Sequence, residues 1–159
     1  EDQFFKKTKL EDLLDEIISS FRETSSKKIS LISINNKNSF YFQRSPELIY
    51  GLRNFIGNAI KFSKSEVKIV LESDNVNIKI IINDDGPGFP DDIKEVIGEP
   101  YIKSKSRQVS SNSGTGLGTF LGKTLLERQS AYLEFTKDVK LGGASVVINW
   151  SIINLKSNV

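Results

Sequence analysis

The sequence predicts a two-layer α/β sandwich, in which a mixed, mostly antiparallel sheet is covered on one face by helices. Apolar periodicities of about 3.6 and of 2 succeed one another along the chain in the order helix, two strands, helix, two strands, helix, loop, helix, two strands. The strands therefore come in adjacent pairs between helices, which suits antiparallel pairing better than a doubly wound sheet. The 159 residues are enough for one sizeable core. No internal repeat or linker interrupts them, so residues 1–159 are expected to form a single domain.

Leu10, Leu13, Leu14, Ile17, Ile18 and Phe21 recur at helical spacing and predict a helix over 9–23. Ile29 and Leu31, then Phe40, Tyr41 and Phe42, predict two short strands around a polar, Asn-rich turn. The next helix has Ser45 as N-cap, Pro46 at its first position and Glu47 in its first turn. Its buried stripe is Leu48, Leu52, Phe55, Ile56, Ala59 and Ile60. Val67, Ile69 and Leu71 alternate, Asp74-Asn75 turns the chain, and Val76, Ile78, Ile80 and Ile82 alternate again. A short helix is expected near 91–97, and residues 98–113 read as a mobile, functional loop. A helix over 115–128 and a closing hairpin complete the series. In the hairpin, Tyr132, Leu133 and Phe135 face Val146, Ile148 and Trp150 across Gly142-Gly143.

Composition narrows the function. The net charge of +2 gives no basic surface for nucleic acid. No apolar run reaches the roughly 18–20 residues that span a bilayer, so no direct membrane contact is expected. The chain has no cysteine and no histidine. Disulfides, thiol chemistry and cysteine–metal sites are thereby excluded, as is a phosphohistidine within these residues. The absence of methionine, even at position 1, predicts a piece of a longer protein.

The stretch "SGTGLGTFLGKT" at 113–124 ends like a phosphate-binding P-loop. A Walker A loop needs four residues between its first glycine and Gly-Lys. Here Gly118 and Gly122 have three between them, and Gly116 and Gly122 have five. A dinucleotide fingerprint needs G-x-G-x-x-G directly after a strand, and this stretch follows a loop. Two readings stay open: an anion site at a helix start, or a flexible loop end capping a helix.

Three other segments bear on the choice. Asn54, Asn58 and Lys61 fall at i, i+4 and i+7, on one helical face. An asparagine oxygen is a suitable hard ligand for Mg²⁺, although a solvated polar face is the plainer reading of that helix alone. Asp84 ends a strand, with Gly86 and Gly88 behind it. Its carboxylate can accept from an exocyclic amine, or the segment can be an ordinary turn. Tyr101 to Arg107, "YIKSKSR", places Lys103, Lys105 and Arg107 shortly before the glycines.

In this order, these segments resemble the N, G1, F and G2 boxes of the catalytic ATP-binding domain of sensor histidine kinases. That fold is shared with DNA gyrase, Hsp90 and MutL. The resemblance implies ATP and Mg²⁺ as cofactors. Asn58 matches the metal-coordinating asparagine, with Asn54 and Lys61 at nearby catalytic positions. Phe62 matches the aromatic that covers the adenine. Asp84 matches the residue that binds the adenine amine, and Gly86 and Gly88 lie beneath the ring. Gly114, Thr115, Gly116, Leu117 and Gly118 match the second glycine box at the triphosphate. Tyr101, Lys103, Lys105 and Arg107 belong to the lid, where the cations reach the γ-phosphate. "GEPY" at 98–101 is similar to the F box of the RegB/PrrB branch.

The resemblance further implies transfer of the γ-phosphoryl group to a histidine on a separate dimerisation domain, and a response regulator downstream. It implies a cytoplasmic domain whose parent is anchored in the bacterial inner membrane, with the fragment itself monomeric. ATPase relatives carry a water-activating glutamate one turn before the metal asparagine. Asn54 stands there and cannot act as a base, which argues for donation to an external nucleophile. Gly57 stands where many relatives carry an acidic or amide residue thought to assist the acceptor. That keeps two alternatives: a nucleotide-binding regulatory module with little kinase activity, and a gyrase-like ATPase.

Overall fold

The computed structural model describes residues 7–34, 40–89 and 116–157. In chain order these form β1 (Lys7–Lys9), α1 (Leu10–Arg22), β2 (Lys28–Ile34), β3 (Tyr41–Gln43), α2 (Pro46–Phe62), β4 (Glu66–Ser73), β5 (Asn77–Asp84), α3 (Gly116–Arg128), β6 (Ala131–Lys137), β7 (Ala144–Ser151) and α4 (Ile152–Ser157). Five strands make one sheet in the spatial order β2-β4-β5-β7-β6. Only the β2–β4 pair is parallel. The sheet is thus mixed and mostly antiparallel, and its inner face packs on the helices. The expected helix at 91–97 and loop at 98–113 lie outside the described residues.

Period-2 alternation decides which face of the sheet becomes core. On β4 the buried positions are Val67, Ile69, Leu71 and Ser73. On β5 they are Ile78, Ile80, Ile82 and Asp84. In the terminal hairpin Leu133 lies opposite Ile148 and Phe135 opposite Val146 as expected, but Tyr132 falls on the exposed face opposite Asn149, and Ala131 takes the place opposite Trp150. Trp150 is fully buried and meets Phe42 edge-on at 5.1 Å.

The helix α2 starts as its sequence dictates. The Leu48 N–H donates to Ser45 Oγ at 3.1 Å, and Pro46 occupies the first turn. Its other end is held from outside: the Lys27 ammonium donates to the carbonyls of Ile60 and of Ser63, the latter at 2.8 Å. Free carbonyls at a helix C-terminus carry partial negative charge, so a cation there is stabilising. The α3 helix crosses α2 closely: a Cβ at Gly51 would sit 2.6 Å from Leu126 Cγ.

Two expectations are corrected. The strands β2 and β3 do not flank a shared turn as partners. The β2 strand joins the sheet in parallel beside β4, where Ile29 and Leu31 reach the core. The three residues of β3 bury only Phe42 and pair with β1 instead, a strand its KTK sequence did not announce. The chain also does not stop at the hairpin. The Ile152 N–H donates to the Val76 carbonyl at 2.9 Å, and Ile152 and Leu155 of α4 pack on the core.

Candidate functional site

A cavity opens between α2, α3, the end of β5 and the β7 start. Its apolar walls include Phe55, Phe62, Phe89 and Phe135. Phe135 lies 5.9 Å from Phe55 and 5.8 Å from Phe89, ring centre to ring centre. Its polar groups come from Asp84 at one side and from Asn58 and Thr119 on the helices.

Asp84 occupies the last core-facing position of β5, opposite Val67, and is 5% exposed. Strand phase alone brings a carboxylate where the pattern calls for an apolar residue. Its Oδ1 accepts the N–H of Gly86 at 2.8 Å and of Ala144 at 3.1 Å. Burial raises its carboxyl above the ordinary value, and these two bonds only partly offset that. The surroundings are backbone and tightly closed. A Cβ at Gly143 would overlap the Asp84 carbonyl and carboxylate oxygens, and one at Gly86 would overlap the Phe62 carbonyl. With Oδ1 committed to two backbone donors, Oδ2 is the oxygen left to meet a ligand's N–H.

At the helical side, Asn58 donates from Nδ2 to Asn54 Oδ1 and to Thr119 Oγ1, both at 3.5 Å. These long contacts orient the amide only loosely. Asn54 and Asn58 are half-buried, since α3 covers this face. The polar face of α2 is therefore not the solvated surface that its sequence also allowed. Lys61 is exposed, and its ammonium lies 5.6 Å from the Phe62 ring centre. At Gly57 a Cβ would stand 3.3 Å from Phe21 Cζ; the Phe21 ring also carries the Arg53 guanidinium at 4.8 Å.

The structure thus brings Asn58, Phe62, Asp84 and Gly88 to one cavity. Asn54 touches it through Asn58, Gly86 lies buried behind Asp84, and Lys61 does not line it. Gly116, Leu117 and Gly118 form the first turn of α3. Tyr101, Lys103, Lys105, Arg107, Gly114 and Thr115 lie outside the described residues. Lys123, from the apparent P-loop ending, pairs with Glu127 at 3.2 Å. Sequence reasoning missed Thr119, Gly143, Ala144 and the role of Phe89. Phe55 and Phe135 it read only as core and hairpin residues. None of these carries a local signal, because each matters through a contact distant in sequence.

Residues 44–152 match the family of histidine kinase-, DNA gyrase B- and HSP90-like ATPases, and the chain belongs to it. ATP binding follows from that membership. The sensor histidine kinase RegB of Cereibacter sphaeroides is 44% identical over 97 residues, 58% of this chain and 21% of that protein. The sensor histidine kinase CpxA of Escherichia coli is 29% identical over 97 residues, 61% of this chain and 21% of its own. The match thus spans about a fifth of either relative. Among solved structures, a mycobacterial sensor histidine kinase, MprB, superposes with a TM-score of 0.75 at 19% identity, over 92% of this chain and 97% of that one. Within the family, then, the likeness lies with the sensor histidine kinases.

Proposed function

We propose that residues 1–159 are a single catalytic domain that binds Mg·ATP in this cavity. It donates the γ-phosphoryl group to a histidine on the dimerisation domain of the same kinase, which in turn serves a response regulator. The observation that carries the reading is Asp84: a buried carboxylate with one oxygen held by backbone donors and the other free for the adenine amine. Phe62 and Gly88 border the base, and the first turn of α3, with Gly116, Leu117 and Gly118, serves the phosphates. Gly114, Thr115, Tyr101, Lys103, Lys105 and Arg107 complete the phosphate side in this reading.

The donor set at the helical end fits Mg²⁺. Asn58 borders the cavity, and its amide carries a hard oxygen suited to a cation. Among the described residues no three acidic side chains converge. Mg²⁺ commonly takes few protein oxygens and fills its remaining positions with water and phosphate. When bound, the ion neutralises phosphate charge. Asn54 supplies no base for water, so these residues position the nucleotide and leave the nucleophile to an external imidazole. In the assembled protein the domain is cytoplasmic, with the parent anchored in the inner membrane. Among the described residues no helix is long and apolar enough to cross it.

A second reading, a regulatory nucleotide-binding module, is favoured by one observation. Residue 57 is glycine, with the Phe21 ring 3.3 Å from where its Cβ would be, so no acidic side chain stands there to assist an acceptor.

Radiolabelled ATP, this chain and its cognate histidine domain, mixed in trans, separate the readings. Label on the histidine domain is the expected result. Binding without transfer would support the regulatory module, and rapid phosphate release alone would support an ATPase. Asn58→Asp is expected to abolish Mg·ATP binding or transfer, checked by titration calorimetry and the same assay; unchanged activity would contradict the metal assignment.

A further inference from the structure

Helix α2 ends at the cavity: Asn58, Ala59 and Phe62, all from its last residues, line the wall. Many helices stop on a glycine in the left-handed conformation, where the backbone folds back to bond the last carbonyls. Ser63 follows α2 instead, with an extended backbone (φ −66°, ψ 155°), and its N–H donates to the Ala59 carbonyl at 3.0 Å. The carbonyls beyond Ala59 need donors from elsewhere.

Lys27, in the connection between α1 and β2, supplies them. Its ammonium donates to the Ile60 carbonyl and, at 2.8 Å, to the Ser63 carbonyl, with the Lys61 carbonyl 3.5 Å away. A compact ammonium with several rotatable donors suits carbonyls that converge from one turn. These groups bracket residue 62 on both sides. The Phe62 carbonyl lies instead against Gly86, where a Cβ would stand 2.3 Å from it. The segment that carries the Phe62 ring is thus held between a cation and the glycine behind Asp84. Lys27 is itself anchored: its N–H donates to Ser25 Oγ at 3.2 Å, and the Lys28 N–H to the Ser65 carbonyl at 2.9 Å.

We infer that Lys27 is a positioning residue for the nucleotide base. It does not line the cavity; it acts by holding the turn that carries Phe62. A helix end without its carbonyl partners frays. Phe62 would then be correctly placed in only part of the population, and the apparent affinity falls by that fraction. This rests on the proposed role of Phe62 beside the adenine.

The test compares Lys27→Met, which keeps the stem and removes the donors, with Lys27→Arg, which keeps the charge. Lys27→Gln is a milder change that serves if the methionine variant does not fold. Exchange of the Ser63 amide is followed by NMR without nucleotide. ATP affinity is measured by calorimetry with saturating Mg²⁺ and in excess EDTA, in wild-type and Phe62→Ala backgrounds. In Lys27→Met the Ser63 amide should exchange faster, and ATP affinity should fall about tenfold, equally with and without Mg²⁺. Lys27→Gln should show the same pattern more weakly, and Lys27→Arg should bind ATP close to wild type. In the Phe62→Ala background the Lys27→Met loss should disappear, because the ring through which it acts is gone. Faster Ser63 exchange with wild-type ATP affinity would make Lys27 a cap of the fold alone and overturn the inference. An equal tenfold loss in the Phe62→Ala background would overturn it too. Wild-type affinity in Phe62→Ala itself would overturn the base reading of Phe62, and this inference with it.

Discussion

Asp84 and Asp85 are neighbours in the chain, yet the end of β5 places them in opposite surroundings. Asp84 faces the cavity, where burial outweighs two backbone hydrogen bonds and its carboxyl titrates above the ordinary value. Asp85 also loses some hydration. It is overcompensated, however, by donors from the turn between α2 and β4: the N–H groups of Lys64, Ser65 and Glu66 and the Ser65 hydroxyl. Its pKa falls to about 2. Asp84 is deeply buried with two donors, whereas Asp85 lies near the surface with four, so burial wins at one and hydrogen bonding at the other. The turn side spends its carboxylate on holding the fold together. The cavity side keeps one oxygen unspent, at a cost in stability, for something that is not part of the chain.

The largest test of this contrast removes the wall behind Asp84. Gly143→Ala would drive a methyl into the Asp84 oxygens and the Gly86 nitrogen. We expect a loss of about 3 kcal/mol in chemical denaturation, as for overpacking against backbone that cannot move aside, together with loss of ATP binding. A stable Gly143→Ala protein that still binds ATP would show that the backbone cradle is looser than described.

Asp84→Asn separates the two functions of that carboxyl. Its amide oxygen can still accept from Gly86 and Ala144, so the melting temperature at neutral pH should hold or rise slightly. The other atom becomes a donor facing the adenine amine in the proposed binding mode, and ATP affinity should then fall by about 2 kcal/mol, roughly 30-fold. Equal affinity in calorimetry would remove Asp84 from base recognition.

The smallest expected effect is on the turn side. Asp85→Ala should cost about 1 kcal/mol once solvent screening is allowed for, with ATP affinity unchanged. The pH dependence sharpens the comparison. The folded pKa of Asp85 is depressed, so its contribution is present above the ordinary carboxylate value and is lost as pH falls toward about 2. Asp84 has the opposite sign: its folded pKa is raised, so its charge costs stability as pH rises through that value. Denaturation curves of Asp85→Ala should therefore flatten at the acid end relative to wild type. Those of Asp84→Asn should lack the decline on the rising side.

Elements with a strong local pattern were legible in the sequence. The Ser45-Pro46 start of α2, the alternation of β4 and β5, and the hairpin register of β6 and β7 all follow from periodicity and turn chemistry. The three-residue strands β1 and β3 and the one-and-a-half-turn helix α4 were not legible. They are too short to show a period and exist because neighbours bury or bond them. The parallel pairing of β2 was hidden for a related reason: its partner β4 lies a helix away in sequence.

The candidate site divides along the same line. The sequence by itself determined which chemistry was on offer: Asn58, Phe62, Asp84 and Gly88 could be named from residue type, spacing and order. It also excluded a histidine acceptor within these residues and a water-activating glutamate at position 54. Only the tertiary structure decided how those groups are held. Ala144 reaches Asp84 from 60 residues away, and Thr119 reaches Asn58 from 61. Spacing in a sequence reports what one helix or strand places on a face. The lone pair that stays free is set by contacts between elements.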